Sequence, residues 1–143
     1  MKAFLDTNIL LDALETGREH HRDSQAILGL AARGMIEAVV STQSLVDLAY
    51  IYTKGHRARL QELKTLLAHL DDILTIRDTS RRGLLLASNH FTNDFEDAVQ
   101  SVIAVDAGCE LIITDDKLFD EPFGLPVVSP DEFCKDYFTE QVA

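Results

Sequence analysis

Short, mainly apolar segments with the character of buried strands alternate with helix-like segments along the chain, and this alternation most constrains its fold. Such runs of a few apolar residues are typical of strands that are covered on both faces. Five occur, at residues 2–5, 35–41, 73–76, 110–114 and 125–128. Strands connected by helices pair in parallel, with helices on both sides of the sheet. We therefore predict one α/β domain over residues 1–143, a three-layer α/β/α sandwich with a central, mostly parallel sheet.

The segments between the strands place apolar residues at helical spacing. The helix predicted in the segment DFEDAVQSVIAVDAG should be capped at both ends, by Asp94 before it and Gly108 after it. The last helix should begin at Pro130. The other predicted helices lie at residues 7–15, 19–32, 41–53, 56–70 and 79–90.

Polar residues follow two of the predicted strands at the point where each strand ends. Asp6 follows the first strand, and Thr114, Asp115 and Asp116 lie at the end of the segment ELIIT. The carboxyl ends of parallel strands share one edge of the sheet, where folds of this class bind ligands. We therefore expect carboxylates from both strands at the same edge.

Two further acids extend this group. Asp47 lies one turn inside the third predicted helix, and Asp97 lies in the first turn of the sixth. We predict that Asp6, Asp47, Asp97 and Asp116 converge as catalytic residues. Two carboxylates about 5 Å apart repel by roughly 3 kcal/mol at an effective dielectric of about 20, so four together would either be protonated or bind a cation. Oxygen ligands without nearby His or Cys suit Mg²⁺ or Mn²⁺, and such an ion can activate water against a phosphodiester.

Each of these acids also has a purely structural interpretation, and the sequence leaves both open. Asp6 suits the N-cap of the first helix. Asp97 follows Asp94 by three residues, which resembles a capping box with Asp in place of Glu. Asp47 suits an exposed helix position.

Small polar residues surround the predicted site. Thr7, Asn8 and Thr114 could orient the carboxylates or a bound water, or could act as ordinary caps. Asp115 and Asp116 also suit a turn. We prefer Asp116 over Asp115 for the catalytic role, because it keeps a Thr-x-Asp spacing.

The net charge of −11 has the wrong sign for a protein that holds nucleic acid by bulk electrostatics. A nucleic-acid substrate would need a bound metal or a local basic patch, whereas the acids would otherwise serve solubility. The densest basic stretch is TKGHRARLQELK, residues 53–64. Its residues Lys54, Arg57 and Arg59 are candidates for contacts with phosphates, and the alternative is a solvated helix face.

Four segments resemble those of PIN-domain proteins. FLDTNILLDAL resembles their first strand and turn, STQSLVDLAYIY their next acidic helix, and PVVSPDEF their closing strand and helix. The segment DFEDAVQSVIAVDAGCELIITDDKLF resembles the most recognisable one, an acid-bearing helix, a strand and a Thr-x-Asp followed by Phe. The resemblance implies a PIN-like α/β/α fold and a metal-dependent nuclease that usually acts on RNA. Small members of this kind are often the toxins of VapBC-type toxin–antitoxin pairs.

The resemblance also implies roles for individual residues. The family acids correspond to Asp6, Asp47, Asp97 and Asp116, with Asp6, Asp97 and Asp116 as metal ligands. The additional or accessory positions correspond to Asp94, Asn8 and Thr114. Two positions depart from the pattern: the second acid is usually Glu, one methylene longer than Asp47, and Asp115 replaces a residue that is often Arg or Asn.

Partners follow from the same resemblance and from an apolar helix pair between residues 45 and 70. This pair suits the core, a homodimer face or a groove for an antitoxin helix. Cys109 and Cys134 lack metal-ligand spacing, which favours reduced thiols in a cytoplasmic protein. No apolar run approaches the roughly 20 residues of a membrane span, so no membrane association is expected.

Two other functions compete with the nuclease. A non-catalytic PIN-like module that binds RNA or protein would explain the departure at Asp47 and the acidic charge. A phosphohydrolase with an Asp nucleophile on the first strand usually needs a second Asp two residues later, where this chain has Asn8.

Overall fold

The computed structural model of the chain describes the backbone of residues 1–142 and the side chains of residues 1–139. Within these residues lie the strands β1 (Lys2–Leu5), β2 (Glu37–Ser41), β3 (Thr75–Arg77), β4 (Leu111–Ile113) and β5 (Val127–Val128). They form one sheet in the order β3-β2-β1-β4-β5, and every neighbouring pair is parallel. The predicted α/β fold is confirmed, and β5 is an edge strand as expected.

Seven helices lie in the described part of the chain, and every strand except β4, which a loop connects to β5, is followed by a helix. They are α1 (Thr7–Leu14), α2 (His21–Ala32), α3 (Thr42–Thr53), α4 (Arg59–Ile73), α5 (Arg81–His90), α6 (Phe95–Asp106) and α7 (Pro130–Val142). Across residues 1–142, each helix is too short or too polar to span a membrane.

Alternate residues of the central strand β1 enter different layers, as the two-residue period of a strand requires. Ala3 and Leu5 belong to a core with residues of α1, α2, α4 and α7. Phe4 packs instead with residues of β2, β4 and α6. Burying one such large apolar side chain contributes about 1.5–3 kcal/mol. Because both faces are packed, the strand ends that carry the polar residues are held rigidly.

Two predicted strands begin too early, because Ile73 belongs to the preceding helix and Met35 closes the end of a helix that stops where it was predicted to stop. Ile73 belongs to α4, and the next residue, Leu74, still donates a helix-type hydrogen bond from its N–H to the carbonyl of Leu70 at 2.8 Å. Met35 precedes β2 because its N–H bonds to the carbonyl of Leu30 at 2.9 Å, which closes the end of α2.

The helices α2 and α4 begin later than predicted, at His21 and Arg59. The residues before them, His20 and Ala58, supply no side-chain cap. The preceding segments form turns instead of continuing the helix.

The predicted caps of α6 are confirmed. The carboxylate of Asp94 accepts a hydrogen bond from the backbone N–H of Asp97 at 3.0 Å. Gly108 follows the helix with a φ of 76°, in the left-handed region where glycine has no Cβ penalty. These caps determine where α6 begins, and therefore where Asp97 stands relative to the ends of β1 and β4.

Candidate active site

Asp6 is both a helix cap and the centre of a polar cluster. It follows β1 and is 7% exposed. Its carboxylate accepts hydrogen bonds from the backbone N–H of Thr7 at 2.7 Å, the amide of Asn8 at 3.1 Å and the hydroxyl of Thr114 at 2.8 Å. Burial raises the pKa of Asp6, and the bonds from Thr114 and Thr7 only partly oppose this rise. The two interpretations of Asp6 are therefore compatible.

Asn8 and Thr114 connect the ends of β1 and β4. The Asn8 amide donates to the hydroxyl oxygen of Thr114 at 3.1 Å and accepts from the backbone N–H of Asp115 at 3.2 Å. The same Thr114 oxygen accepts from the backbone N–H of Asp116 at 3.1 Å. Because these bonds reach Asp6 as well, they hold the two strand ends in one arrangement.

Asp97 has a strongly raised pKa. It is 9% exposed, and its Oδ2 accepts a hydrogen bond from the backbone N–H of Asp120 at 3.1 Å. Burial raises the pKa of Asp97 to about 7, and the negative charges of Asp94, Asp6 and Asp116 add to the rise. The capping-box interpretation is half right: Asp94 caps Asp97, but the Asp97 side chain turns to Asp120 instead of returning to the cap.

A cleft of about 460 Å³ opens at this edge of the sheet. Asp47 is half-buried on α3, where it accepts a hydrogen bond from the Gln43 side chain at 2.9 Å. Burial raises the pKa of Glu96, and the charges of Asp47 and Asp6 raise it further. The cleft is lined by Asp6, Thr7, Asn8, Leu11, Asp47, Tyr50, Ile51, Glu96, Asp97 and Gln100.

Thr114, Asp115 and Asp116 line a neighbouring cavity of about 610 Å³ instead of the cleft. Asp116 is exposed, and its carboxylate accepts from the backbone N–H of Leu118 at 2.9 Å. Burial and the adjacent Asp12 carboxyl raise the pKa of Asp115 to about 7. The structure thus separates the two acids: Asp115 interacts with Asp12, whereas Asp116 adds to the field at Asp97.

Sequence reasoning missed several polar residues of this region. Glu96 and Gln100 lie on α6 and line the same cleft. Gln100 follows Asp97 by three residues, so helical spacing from Asp97 was a usable signal for Gln100, and Glu96 is four residues before Gln100 on the same face. Asp120 had no signal, because it lies in a loop and acts through backbone contacts. Asp12 is 2% exposed and pairs with Arg18 at 3.3 Å, a contact that neither helical period nor motif indicates.

The donor chemistry of the cleft fits Mg²⁺ or Mn²⁺. The available ligands are carboxylate, amide and hydroxyl oxygens, and the buried Oε1 of Gln100 has no hydrogen-bond partner among the described residues. Within residues 1–139, no three His, Cys, Asp or Glu side chains are already arranged to hold an ion. Mg²⁺ commonly keeps several waters and takes only one or two protein carboxylates, which Asp6 and Asp97 can supply.

The structure places the three basic residues predicted to contact phosphates in different positions. Lys54 does not line the cleft itself, but its ammonium lies 5.6 Å from the centre of the ring of Tyr50, which does. Arg59 instead folds onto Tyr52, 4.8 Å above its ring, and donates to its backbone carbonyl. The side chain of Arg57 is exposed and does not line the cleft.

A family model for the PIN domain matches residues 2–118, which include β1 to β4 and every carboxylate of the cleft. The chain belongs to the PIN-domain family.

Known relatives of this PIN domain cover nearly its whole length. It is 25% identical over 140 residues to ribonuclease VapC1 of Aquifex aeolicus (strain VF5), covering 96% of each chain. The structure resembles that of VapBC2 from Rickettsia felis bound to a DNA fragment from its promoter, with a TM-score of 0.68, 18% identity and coverage of 90% of this chain and 98% of the other. It also resembles the sarcin-ricin loop cleaving toxin VapC20 of Mycobacterium tuberculosis, with a TM-score of 0.63, 18% identity and coverage of 82% and 92%.

The acids of this PIN domain predict how its stability depends on pH. The pKa values of Asp6, Asp97 and Asp115 are raised in the folded state, so the folded chain binds more protons than the unfolded chain between about pH 4 and pH 7. These three acids therefore contribute most to the stability of the folded chain at low pH. Their contribution is lost as the pH rises from about 4 to about 7. We expect the free energy of unfolding of the metal-free protein to be about 1–2 kcal/mol higher near pH 5.5 than near pH 8.

Urea denaturation at both pH values, in the presence of a chelator, measures this difference. Asp120 acts in the opposite direction, because hydrogen bonds from Thr92 and from neighbouring backbone N–H groups lower its pKa. Its contribution is lost only when pH falls below about 4, outside the compared range. A free energy of unfolding that rises from pH 5.5 to pH 8 would contradict the raised pKa values.

Proposed function

We propose that this PIN domain is a metal-dependent endoribonuclease that hydrolyses RNA phosphodiesters and acts as the toxin of a toxin–antitoxin pair. The observation that carries the proposal is the pair of buried carboxylates, Asp6 and Asp97, in one cleft. Neither takes part in an ion pair formed by the side chains of residues 1–139. Buried acids without a cationic partner are costly, and a divalent cation would neutralise them.

Asp6 and Asp97 would hold the Mg²⁺ or Mn²⁺ ion in the cleft, and Asp116, which lines the neighbouring cavity but whose charge acts on Asp97, would be the third ligand. When bound, the ion would supply a Lewis acid for the phosphodiester and lower the pKa of a coordinated water. Asp47 would reach it through a water, because its side chain is one methylene shorter than the Glu that is usual at this position. The relative named ribonuclease VapC1 supports RNA as the substrate.

The remaining polar residues would hold the ligands in place. Thr114 and Asn8 donate to Asp6 and so orient its carboxylate. The backbone N–H of Asp120 orients Asp97, and Asp94 determines where the helix that carries Asp97 begins. Such supporting contacts matter because catalytic groups must be held within about 0.5 Å of productive geometry.

The partners would be a cognate antitoxin and a second copy of the chain. The helix pair α3–α4 contributes Leu48 and Leu70 to the core but exposes Val46 and Leu60. An antitoxin could cover this surface and present Arg or Lys to the acidic cleft. Solved relatives that contain VapB together with VapC support such a complex. Copurification from the native host tests the antitoxin, and sedimentation of the purified chain tests the dimer.

The buried thiols Cys109 and Cys134 are free, which supports a reducing compartment and hence the cytoplasm.

Cleavage of a labelled single-stranded RNA pool, with and without Mg²⁺ or Mn²⁺, tests the proposed function. We expect internal cleavage that a chelator stops and added metal restores. The matched control is Asp106→Asn, which removes an exposed carboxylate from the far end of the same helix α6 and should leave cleavage unchanged. Binding of RNA without cleavage under all metal conditions would favour the non-catalytic module instead.

The departure at Asp47 leads to a graded prediction. If Asp47 acts through water, Asp47→Asn should reduce kcat by about 10- to 100-fold, the range typical of residues behind the direct ligands. Asp47→Glu should keep or raise the wild-type rate, because the longer side chain extends further into the cleft. Single-turnover cleavage of one RNA by the three proteins measures this. A complete loss in Asp47→Asn would instead indicate direct ligation.

A further inference from the structure

Helix α3 and the residue that caps its end carry three chemically different groups along one stripe. Asp47, Tyr50 and Lys54 are three and four residues apart, the spacing that places side chains on one helix face. Tyr50 is 64% exposed, yet it lines the same cleft as Asp6 and Asp97. Because most of the Tyr50 side chain is exposed, packing within the chain leaves most of its surface free at the rim of an acidic cleft.

The exposed ring of Tyr50 and the positive charge of Lys54 are both available to a ligand. The ammonium of Lys54 lies over the Tyr50 ring at 5.6 Å, and Lys54 joins no ion pair formed by residues 1–139. The neighbouring Tyr52 differs in this respect. Its ring carries the Arg59 guanidinium at 4.8 Å, and its hydroxyl donates to Glu62 at 2.8 Å, so its polar groups are already used.

The charges around the cleft restrict what this pair can bind. Asp47 and Glu96 repel a phosphate backbone, so a polyanion needs a nearby cation. Among the predicted basic residues, Lys54 is the one whose ammonium lies against a ring that lines the cleft. An exposed aromatic ring binds nucleobases by stacking, whichever base is present. Bases inside a duplex are already stacked and paired, whereas those of a single strand are free to reach a ring.

We propose that Tyr50 and Lys54 form a subsite for single-stranded RNA, in which an unpaired base stacks on the Tyr50 ring and Lys54 contacts a phosphate of the same strand. The inference rests on the proposed function, because it takes RNA as the substrate. The subsite is one α-helical turn from Asp47, so the bound base belongs to a nucleotide close to the phosphodiester that is cleaved.

The experiment separates binding from cleavage. Affinity for a fluorescent single-stranded RNA is measured in the Asp97→Asn background, and kcat and KM are measured in the otherwise wild-type chain. Tyr50→Ala should weaken binding and raise KM by about 5- to 100-fold, the range of one base–aromatic stack. Tyr50→Phe keeps the ring and should stay within about twofold of the wild type. Phe138→Ala, which removes an exposed ring from α7, is the matched control.

Two further measurements identify the ligand class. Lys54→Gln should reduce the slope of log affinity against log salt by about 0.7, the loss of one phosphate contact with a single strand. Tyr50→Ala should leave the affinity for a duplex of the same sequence unchanged.

The outcomes distinguish this inference from the proposed function. Cleavage by the wild type with RNA affinity unaffected by Tyr50→Ala would overturn the subsite and leave the nuclease intact. If Tyr50→Ala instead disrupted only a protein complex or a dimer, the ring would belong to a protein interface and the subsite would be wrong. Tyr50-dependent binding without cleavage would support the subsite and overturn the nuclease. Neither binding nor cleavage of single-stranded RNA by the wild type would overturn both.

Discussion

Replacing Asp97 by Asn is expected to lower RNA cleavage by more than about 100-fold, since even residues behind the direct ligands of a metal cost about 10- to 100-fold when they are changed. Asn keeps the size of the side chain and an oxygen that can accept from the backbone N–H of Asp120. It removes the negative charge on which the metal would depend. The same change should raise the stability of the metal-free protein near pH 8, because burial and three neighbouring acids oppose the ionised form of Asp97.

Activity is expected to fall while stability rises, so a loss of cleavage in Asp97→Asn could not be explained by a damaged fold. Single-turnover cleavage measures the first and urea denaturation measures the second. Asp106→Asn, which removes an exposed acid from the same helix, should change neither appreciably. A stable Asp97→Asn protein that cleaves at the wild-type rate would remove Asp97 from the site. A protein that is inactive because it is unfolded would contradict the predicted gain in stability.

Replacing Asp120 by Ala should lower the free energy of unfolding by about 2–3 kcal/mol, the range for hydrogen bonds to a charged group. The Asp120 carboxylate accepts from the backbone N–H groups of Thr92, Asn93 and Asp94 at 2.8–3.0 Å, and from the Thr92 hydroxyl at 2.6 Å. These bonds join the segment before α6 to the loop after β4. Water can reach the exposed donors in the variant, so the loss should be smaller than the sum of four bonds.

Cleavage should also decrease in this variant. The backbone N–H of residue 120, which donates to Asp97, is still present, but its loop no longer has the side-chain hydrogen bonds that hold it against the segment before α6. Asp120→Asn should recover part of the stability, since its amide oxygen can accept from one or two of the donors. Glu121→Ala is the matched control, because the Glu121 carboxylate accepts from two N–H groups within its own loop, at Phe123 and Gly124, and not from the segment before α6. Equal losses of cleavage in Glu121→Ala and Asp120→Ala would contradict a specific role for Asp120.

Most of the fold was predictable because its signals are local. The alternation of apolar strands and helical patterns indicated the parallel sheet, and the caps Asp6, Asp94 and Gly108 marked helix ends by their own chemistry. Strand order was not predictable from such signals, because it depends on contacts between distant segments. Boundaries failed where a helix continued past its apolar pattern, as at Ile73.

Of the residues in the candidate site, the sequence predicted only the acids that lie at the ends of strands or in the first turns of helices. The sequence could not separate Asp115 from Asp116, because the difference depends on the buried Asp12, which approaches from α1. The anchoring role of Asp120 was also hidden, since its partners are backbone groups 26–28 residues away. The rim position of Tyr50 requires the packed orientation of α3, whereas the sequence showed only an apolar helix.

Calorimetric titration of Mn²⁺ and Mg²⁺ into the chelator-treated wild type, Asp97→Asn and Asp106→Asn tests the central claim most directly, which is that the carboxylates at the ends of β1 and α6 form one metal site. We expect saturable binding to the wild type and to Asp106→Asn, and a loss of more than about 10-fold in affinity for Asp97→Asn. Equal binding by all three proteins, or no binding by the wild type, would contradict a metal site in this cleft.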